Sequence, residues 1–457
     1  MHTSPRRAGQ RAVVLGGGMA GLLAVAALAE AYDEVVLVER DPMRPDPAPR
    51  RGVPQGRHVH VLLSRGAKAI ETLLPGILTE LTADGGMTLD NLNQLHADID
   101  GHVLCQADAP MDRAHLQTRP FLEAHVLARV RALPDVRILD DHDVVELRWE
   151  GTRVVGATVV PRAAPDEDVE LDADLTVSAL GRNGRVGAWL TDHGYEAPTE
   201  QELRIDLMYA TRLMRLDATR VNGYRGVLVG AKPSRPTGIS LLQQEDDAWI
   251  VTVEAFAGHH PATDPEGWLD EAVRLTPPQF RDALRSAEPV TDVSVHRFPA
   301  NLWRRYDRLR DFPEGLLVTG DSICSFNPVY GQGMTVAALE AGLLRELVRS
   351  GTHDLAHRFF HQAAKPVRIA WEAAVGGDLS MPPDVVPGRR TVVVRAANAY
   401  LDRYLTAAEQ DAVLALDFLD VTGLDKPARA LVSPHALRAI ARNSRNHDRE
   451  SGPRRAA

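Results

Sequence analysis

The hydrophobic pattern begins with two short apolar runs on either side of an apolar helix. Ala12–Leu15 reads as a buried parallel strand, the stretch from Met19 as a helix, and Val35–Val38 as a second strand. Between the first strand and the helix stand Gly16, Gly18 and Gly21, in the spacing G-x-G-x-x-G. The first glycine allows a sharp turn, the second lets the backbone approach a pyrophosphate, and the third lets helix and strand pack closely. The helix N-terminus adds free N–H groups and a positive dipole end. Glu39 ends the second strand, about where a ribose-binding carboxylate belongs.

The rest of the pattern alternates in character. Asp41–Pro54 is rich in proline and arginine and reads as a loop; Gln55-Gly56 is a turn, and Val59–Leu63 a strand or the start of a helix. Gly66–Leu74 is an amphipathic helix stopped by Pro75-Gly76, and Met87–Cys105 alternates as strands do. Arg119–Leu133 is a helix opened by Pro120 and stopped at Pro134. Val136–Leu139, Val144–Trp149, Arg153–Val160 and Leu171–Leu180 read as strands. From Arg204 to Gly258 strand-like runs dominate (Met208–Leu213, Gly226–Val229, Ile239–Gln243, Trp249–Phe256), which predicts a separate antiparallel sheet. Trp268–Ala287 is helical, and Leu316–Thr319 returns to the buried-strand pattern. Gly333–Arg349, Leu355–Val375 and residues 391–445 are helical, the second of these preceded by Gly351 at a helix stop. Residues 1–11 and 446–457 are polar and are expected to be loose.

Composition narrows the classes. A chain of 457 residues buries a large core and holds two or three domains; 44% hydrophobic and 25% charged residues are ordinary for a globular protein. The net charge of −10 argues against nucleic acid as a main partner. No apolar stretch free of glycine and charge is long enough to span a membrane. Cys105 and Cys324 are too few for a disulfide framework or a cysteine metal site, which fits a reducing cytoplasm. Arg6-Arg7 followed by apolar residues and Ala27-Leu28-Ala29 also resembles a twin-arginine signal, but such a signal needs no three glycines in register.

A second segment gives the glycine turn its meaning. In VTGDSICSFNPVYGQGMTVAALEAG, Val318–Gly342, a strand delivers Gly320-Asp321, and the carboxylate of Asp321 suits a hydroxylated chain such as ribityl. Pro328 stiffens the loop, Gly331 and Gly333 allow close backbone approach, and the helix from Gly333 points its positive end back at whatever the loop holds. There, free N–H groups stabilise the negative charge of a reduced flavin.

These residues resemble the FAD-dependent monooxygenases of the p-hydroxybenzoate hydroxylase class. RRGVPQGRHVHVLLSRGAKAIETLLPG at 50–76 and FNPVYGQGMTVAALEAG at 326–342 look most like the flavin epoxidases of polyether and polyketide biosynthesis, the lasalocid and monensin epoxidase type. The resemblance runs over nearly the whole chain. It implies an α/β fold: a discontinuous Rossmann-like FAD-binding domain (1–75, 106–200, 296–380), an inserted antiparallel-sheet substrate domain (76–105, 201–295) and a C-terminal helical region (381–445). It implies FAD held by Gly16, Gly18, Met19, Ala20, Gly21, Glu39 and Arg40, with Arg119 along the cofactor and Asp321 on the ribityl chain. Pro328, Gly331, Gly333 and Met334 lie against the isoalloxazine ring in this reading. NAD(P)H or a partner flavin reductase supplies electrons, oxygen adds at C4a, and the resulting hydroperoxide passes one oxygen atom to an alkene of a hydrophobic, polyketide-like secondary metabolite. The substrate pocket is expected between flavin and antiparallel sheet. No acid–base catalytic residue is assigned.

Two residues depart from the family pattern. Leu180 stands in Ala179-Leu180-Gly181-Arg182 where the family commonly has aspartate, and Met334 stands where many hydroxylases of the class have asparagine. Other readings remain beside this one. Aromatic hydroxylation, halogenation, reduction and redox-inert cyclisation all use the same cofactor fold, and a nucleotide-sensing binding protein uses the fold without turnover. Lys68 can be likened to a halogenase lysine, but no W-x-W-x-I-P segment occurs. His58 and His60 share a strand face without further metal ligands nearby. His353, His357 and His361 form a solvated helix stripe, no H-E-x-x-H or G-x-S-x-G is present, and Cys324 reads as a small core residue.

Overall fold

The computed structural model describes residues 7–450. The chain is a mixed α/β protein that divides into two compact units. The first comprises Met1–Gly86, Gln117–Leu203 and Ala300–Glu372; the second comprises Met87–Leu116, Arg204–Pro299 and Ala373–Ala457. Residues 76–86 thus sit with the first unit and 106–116 with the second, the reverse of the expected boundaries. The C-terminal helices belong to the second unit and form no region of their own.

The first unit is built on a five-stranded parallel sheet, in the order Leu316–Val318, Leu175–Ser178, Gly9–Leu15, Tyr32–Val38, Val136–Leu139. Ala12 to Leu15 pair with Val35 to Val38 on one side and with Leu175 to Ser178 on the other. Ala12 to Leu15 and Val35 to Val38 are apolar because both faces are covered, the usual condition of parallel strands; Leu175 to Ser178 is as buried but alternates with Thr176 and Ser178. Helix Met19–Leu28 has no charged residue and is buried almost all round. It packs against helix Gly333–Arg349, which brings the glycine turn and the 320–334 segment to one end of the sheet. A separate antiparallel layer joins His142–Glu150, Arg153–Pro161 and Val169–Asp172. The single strand expected over Leu171–Leu180 is therefore two. Val169–Asp172 belongs to the antiparallel layer and Leu175–Ser178 to the parallel sheet, with Ala173-Asp174 making the crossing. Residues 59–63 form no regular strand; the chain turns through Pro54–Arg57 and enters helix Ser64–Leu73.

In the second unit, strands Glu200–Arg215, Ala248–Ala255, Thr237–Gln243 and Gly226–Val229 pair antiparallel in that order. Leu95–Ile99 then adds in parallel to Gly226–Val229, so the sheet is not purely antiparallel. Alternate residues point to opposite faces. Ala210, Met214, Trp249, Val251, Val253, Ile239 and Leu241 pack on Trp268, Ala272, Phe280 and Leu284. The expected helix over Trp268–Ala287 is two, Pro265–Leu275 and Arg281–Arg285, because Pro277 and Pro278 cannot continue the first. Helix Pro434–Glu450 enters the stretch expected to be a loose tail; residues 451–457, like residues 1–6, lie outside the described part.

Candidate cofactor site

The glycine turn is shaped by each of its three glycines in a different way. Gly16 has φ +101°, and a Cβ there would lie 2.5 Å from the Ala179 carbonyl oxygen. A Cβ on Gly21 would fall on the Gly16 carbonyl, so only glycine lets this helix sit so close to the strand. A Cβ on Gly18 would meet nothing within 4 Å, so the space in front of the helix N-terminus is open. Met19 is buried, and Ala20 faces Gly320, whose added Cβ would be 2.5 Å from that of Ala20. The turn thus abuts the strand-end segment across the unit.

Glu39 is buried and stitches the turn shut. One carboxylate oxygen accepts the Gly17 N–H at 2.6 Å and the other accepts the Asp41 N–H at 2.9 Å. Arg50 reaches into the same place from 33 residues beyond Gly17: its Nη2 donates to the Gly17 carbonyl at 2.8 Å, and its Nη1 lies 3.5 Å from Glu39 Oε1. Nη2 also pairs with Glu123, whose other oxygen takes the Nε–H of Arg119 at 3.0 Å. Glu39, Arg50, Glu123 and Arg119 form a buried network of two acids and two bases, with side chains 6–13% exposed. Arg50 Nη1 is buried and makes no hydrogen bond. Arg40, by contrast, is half exposed and pairs loosely with Asp41. Beside the network lies a cavity of about 420 Å³ lined by Arg40, Arg44, Arg50, Arg119, Glu123 and Asp141, among others.

The strand Leu316–Val318 ends in Thr319, whose N–H bonds the Ser178 carbonyl at 3.0 Å. Gly320 follows at φ +65°, a left-handed turn that places Asp321 beyond the sheet. The Asp321 carboxylate makes no hydrogen bond or ion pair among the described residues. Burial pushes its pKa up, while the charges of Arg119 and Arg182 pull it back. Behind the turn, buried Glu340 accepts the Gly320 N–H at 2.7 Å and the Thr319 hydroxyl at 2.8 Å. Pro328 opens a short turn ending at Gly331, with φ +66°, and Gly333 begins the 17-residue helix Gly333–Arg349. A Cβ on Gly333 would meet nothing within 4 Å, whereas one on Gly331 would lie 3.8 Å from Leu63 Cδ1. Met334 is buried.

Gly16, Gly18, Met19, Ala20, Gly21, Glu39, Arg119 and Asp321 thus gather at one end of the parallel sheet. Pro328, Gly331, Gly333 and Met334 form their own loop against the 63–66 segment, and Arg40 stands at the rim of the cavity. Sequence reasoning missed Arg50, Glu123 and Glu340. Glu123 had a local signal, an acid four residues after Arg119 on one helix. Of the histidine stripe, His357 is tied to Asp354 and to the Arg310 carbonyl. Among the described residues no cluster of three His, Cys, Asp or Glu is placed to hold a metal, and no helix is long and apolar enough to cross a membrane.

This donor set fits a flavin dinucleotide. An open cradle at Gly18, an orphaned buried Arg50 Nη1, an unpartnered carboxylate at Asp321 and two helix N-termini supply what pyrophosphate, ribityl and the ring edge need. Comparison with known proteins agrees. Residues 10–349 match the family model described as FAD binding domain, so the chain belongs to that family, and FAD is its cofactor. It is an enzyme of the FAD-dependent monooxygenase class. It is 35% identical over 458 residues to protein Rv3254 of Mycobacterium tuberculosis, covering 97% of this chain and 96% of the relative. It is 28% identical over 349 residues to the kynurenine 3-monooxygenase of Salinispora tropica, covering 74% and 72%. The p-nitrophenol 4-monooxygenase structure from Pseudomonas putida shares the fold, with a TM-score of 0.65, 18% identity, and 92% and 99% of the two chains covered.

Proposed function

We propose that the protein transfers one oxygen atom from molecular oxygen to an alkene of a hydrophobic, polyketide-like substrate. When bound and reduced, the flavin supplies the oxygen activation; NAD(P)H or a partner reductase supplies the electrons. The chain's own residues bind and orient. The Gly16–Gly21 turn and Arg50 hold the pyrophosphate, Glu39 takes a ribose hydroxyl, and the arginine-rich cavity takes the adenosine end. Asp321 takes the ribityl hydroxyls, and the N–H groups of the helix at Gly333 face the ring edge that becomes negative on reduction. The two cysteines are unpaired, which suits a reducing cytoplasm.

The observation that carries the substrate class is one face of the second unit's sheet. Opposite the face that packs on the helices, Leu213 pairs with Ile250, Ile250 with Leu242, and Ser240 with Leu228. Thr211 and Thr252 on this face bond each other through their hydroxyls at 2.8 Å. Such a face suits an apolar chain. Oxygen transfer to a C=C bond needs no proton taken from the substrate.

One residue favours a second reading, aromatic hydroxylation. Glu254 lies on the same face, buried, with its pKa pushed up to about 7 by burial. A carboxyl poised near neutrality is the group that would deprotonate a phenol. Offering a polyene and a phenol in parallel, with reductant and oxygen, separates the two. An epoxide from the polyene supports the first reading; a ring-hydroxylated product alone, lost in Glu254→Gln, moves the protein to the second.

Asp321→Ala tests the cofactor geometry. A hydrogen bond to a charged group is worth about 1.5–3 kcal/mol, so FAD affinity should fall about ten- to a hundredfold. Fluorescence titration of the apoprotein reads this, and an unchanged dissociation constant would place Asp321 away from the cofactor.

A further inference from the structure

We propose that Glu340 is a positioning residue for the cofactor: it holds the Thr319–Gly320 turn that presents Asp321, and it makes FAD binding take up a proton. The inference rests on FAD lying against Asp321, as argued above.

Glu340 is the eighth residue of helix Gly333–Arg349 and is 1% exposed. A carboxyl so deep in an apolar helix interface is costly unless it is hydrogen-bonded. It is bonded on one oxygen only. Oε2 takes both the Gly320 N–H and the Thr319 hydroxyl, while Oε1 is buried and has no partner. The two bonds fall on the residues that create the left-handed turn just before Asp321. Glu340 therefore fixes the direction in which the strand end delivers that carboxylate.

The surroundings favour the neutral acid. Helix Met19–Leu28, packed against helix Gly333–Arg349, contributes no ionisable side chain. Helix Ser64–Leu73, also packed against it, carries Arg65, Lys68 and Glu71; Arg65 and Lys68 are exposed, and Glu71 is bonded to the Gly76 and Leu78 N–H groups. From the turn comes Asp321, a like charge, and from the strand after it Cys324. No cation is among the groups that act on Glu340. Burial pushes its pKa up to about 7, against the pull of its two hydrogen bonds, and Asp321 pushes the same way.

FAD sharpens this. Its pyrophosphate brings two further negative charges to the same end of the sheet, and its ribityl chain removes solvent from the Asp321 side. Both favour the protonated acid more in the complex than in the free protein, so binding draws in a proton. Each unit by which the complex raises this pKa weakens FAD binding by about tenfold once the pH has passed both values.

The test is the FAD dissociation constant from pH 6 to pH 9 for the wild type, E340Q and T319V, with thermal melts of each apoprotein. Wild-type affinity should fall about tenfold across this range. E340Q keeps an acceptor for the turn without a titrating proton, and should bind at every pH with about the wild-type pH 6 affinity. T319V removes one hydrogen bond to the carboxylate, and should move the wild-type transition to higher pH. The apo melting temperature of the wild type should also fall as pH rises towards 7, relative to E340Q; Glu254 titrates in both proteins and cancels. A pH-independent wild type, or an E340Q curve parallel to it, overturns the inference. Wild-type FAD affinity in Asp321→Ala is a different failure, that of the cofactor placement itself.

Discussion

Gly18→Val is expected to give a folded, colourless protein. Gly18 sits at φ −73° and ψ −177°, extended backbone that valine adopts readily, and a Cβ there meets nothing within 4 Å. The apoprotein therefore accommodates the side chain. The space it fills is the one in front of the helix N-terminus, where the pyrophosphate must approach the backbone. FAD affinity should fall by more than about a hundredfold, some 2.7 kcal/mol or more, while the apo melting temperature changes little. Gly21→Ala is expected to fail differently. Its Cβ would overlap the Gly16 carbonyl, so the helix must leave the strand. Overpacking against side chains costs about 1–3 kcal/mol, and against a fixed backbone carbonyl the upper end or more is expected. Equal loss of stability in both variants, or wild-type FAD affinity in Gly18→Val, would contradict this account of the turn.

Arg50→Ala should be the most damaging single side-chain truncation in the site. Arg50 is paired with both Glu39 and Glu123, and the three side chains are 8–13% exposed, too buried for solvent to screen them. Removing the cation leaves the buried Glu39 carboxylate without a cation partner among the described residues, and takes from Glu123 one of its two, Arg119 remaining. Breaking a buried pair in this way typically costs about 3–5 kcal/mol, against under about 1 kcal/mol for an exposed one. FAD should also bind more weakly, because the orphaned Nη1 is lost as a phosphate donor. Arg50→Ala combined with Glu39→Gln should recover part of the stability, since the carboxylate that loses its cation is then gone. Chemical denaturation of the four proteins of the cycle measures the coupling. A cost under about 1 kcal/mol for Arg50→Ala would mean that the network is solvated.

How far the sequence foretold these features follows from how local their causes are. Ala12–Leu15, Val35–Val38 and Leu316–Thr319 show as strands because a doubly covered strand is an unbroken apolar run. Gly16 and Gly21 show because backbone geometry restricts those positions to one residue type, and Gly18 because it completes their spacing. The helix at Gly333 begins and ends at the expected residues. Arg50 was hidden because its partners, Gly17, Glu39 and Glu123, lie 33, 11 and 73 residues away and meet only in the folded unit. Glu340 carries no local mark in the sequence; only packing against an uncharged helix reveals that it is buried. Leu171–Leu180 looked like one strand because apolar and polar residues alternate through it, and only the partners of its two pieces differ. The parallel addition of Leu95–Ile99 to Gly226–Val229 joins residues over a hundred positions apart, beyond any local pattern. Pro277-Pro278, however, was a readable stop inside the helix expected over 268–287.

The central claim, that the protein uses FAD to place one atom of molecular oxygen into an organic substrate, is tested most directly by isotope labelling. The FAD-loaded enzyme is supplied with reductant, labelled oxygen gas, unlabelled water and a panel of polyenes, and the products are weighed by mass spectrometry. The account predicts one labelled oxygen atom per modified product and none from water. A product that forms without oxygen, or one whose added oxygen comes from the water, would contradict it.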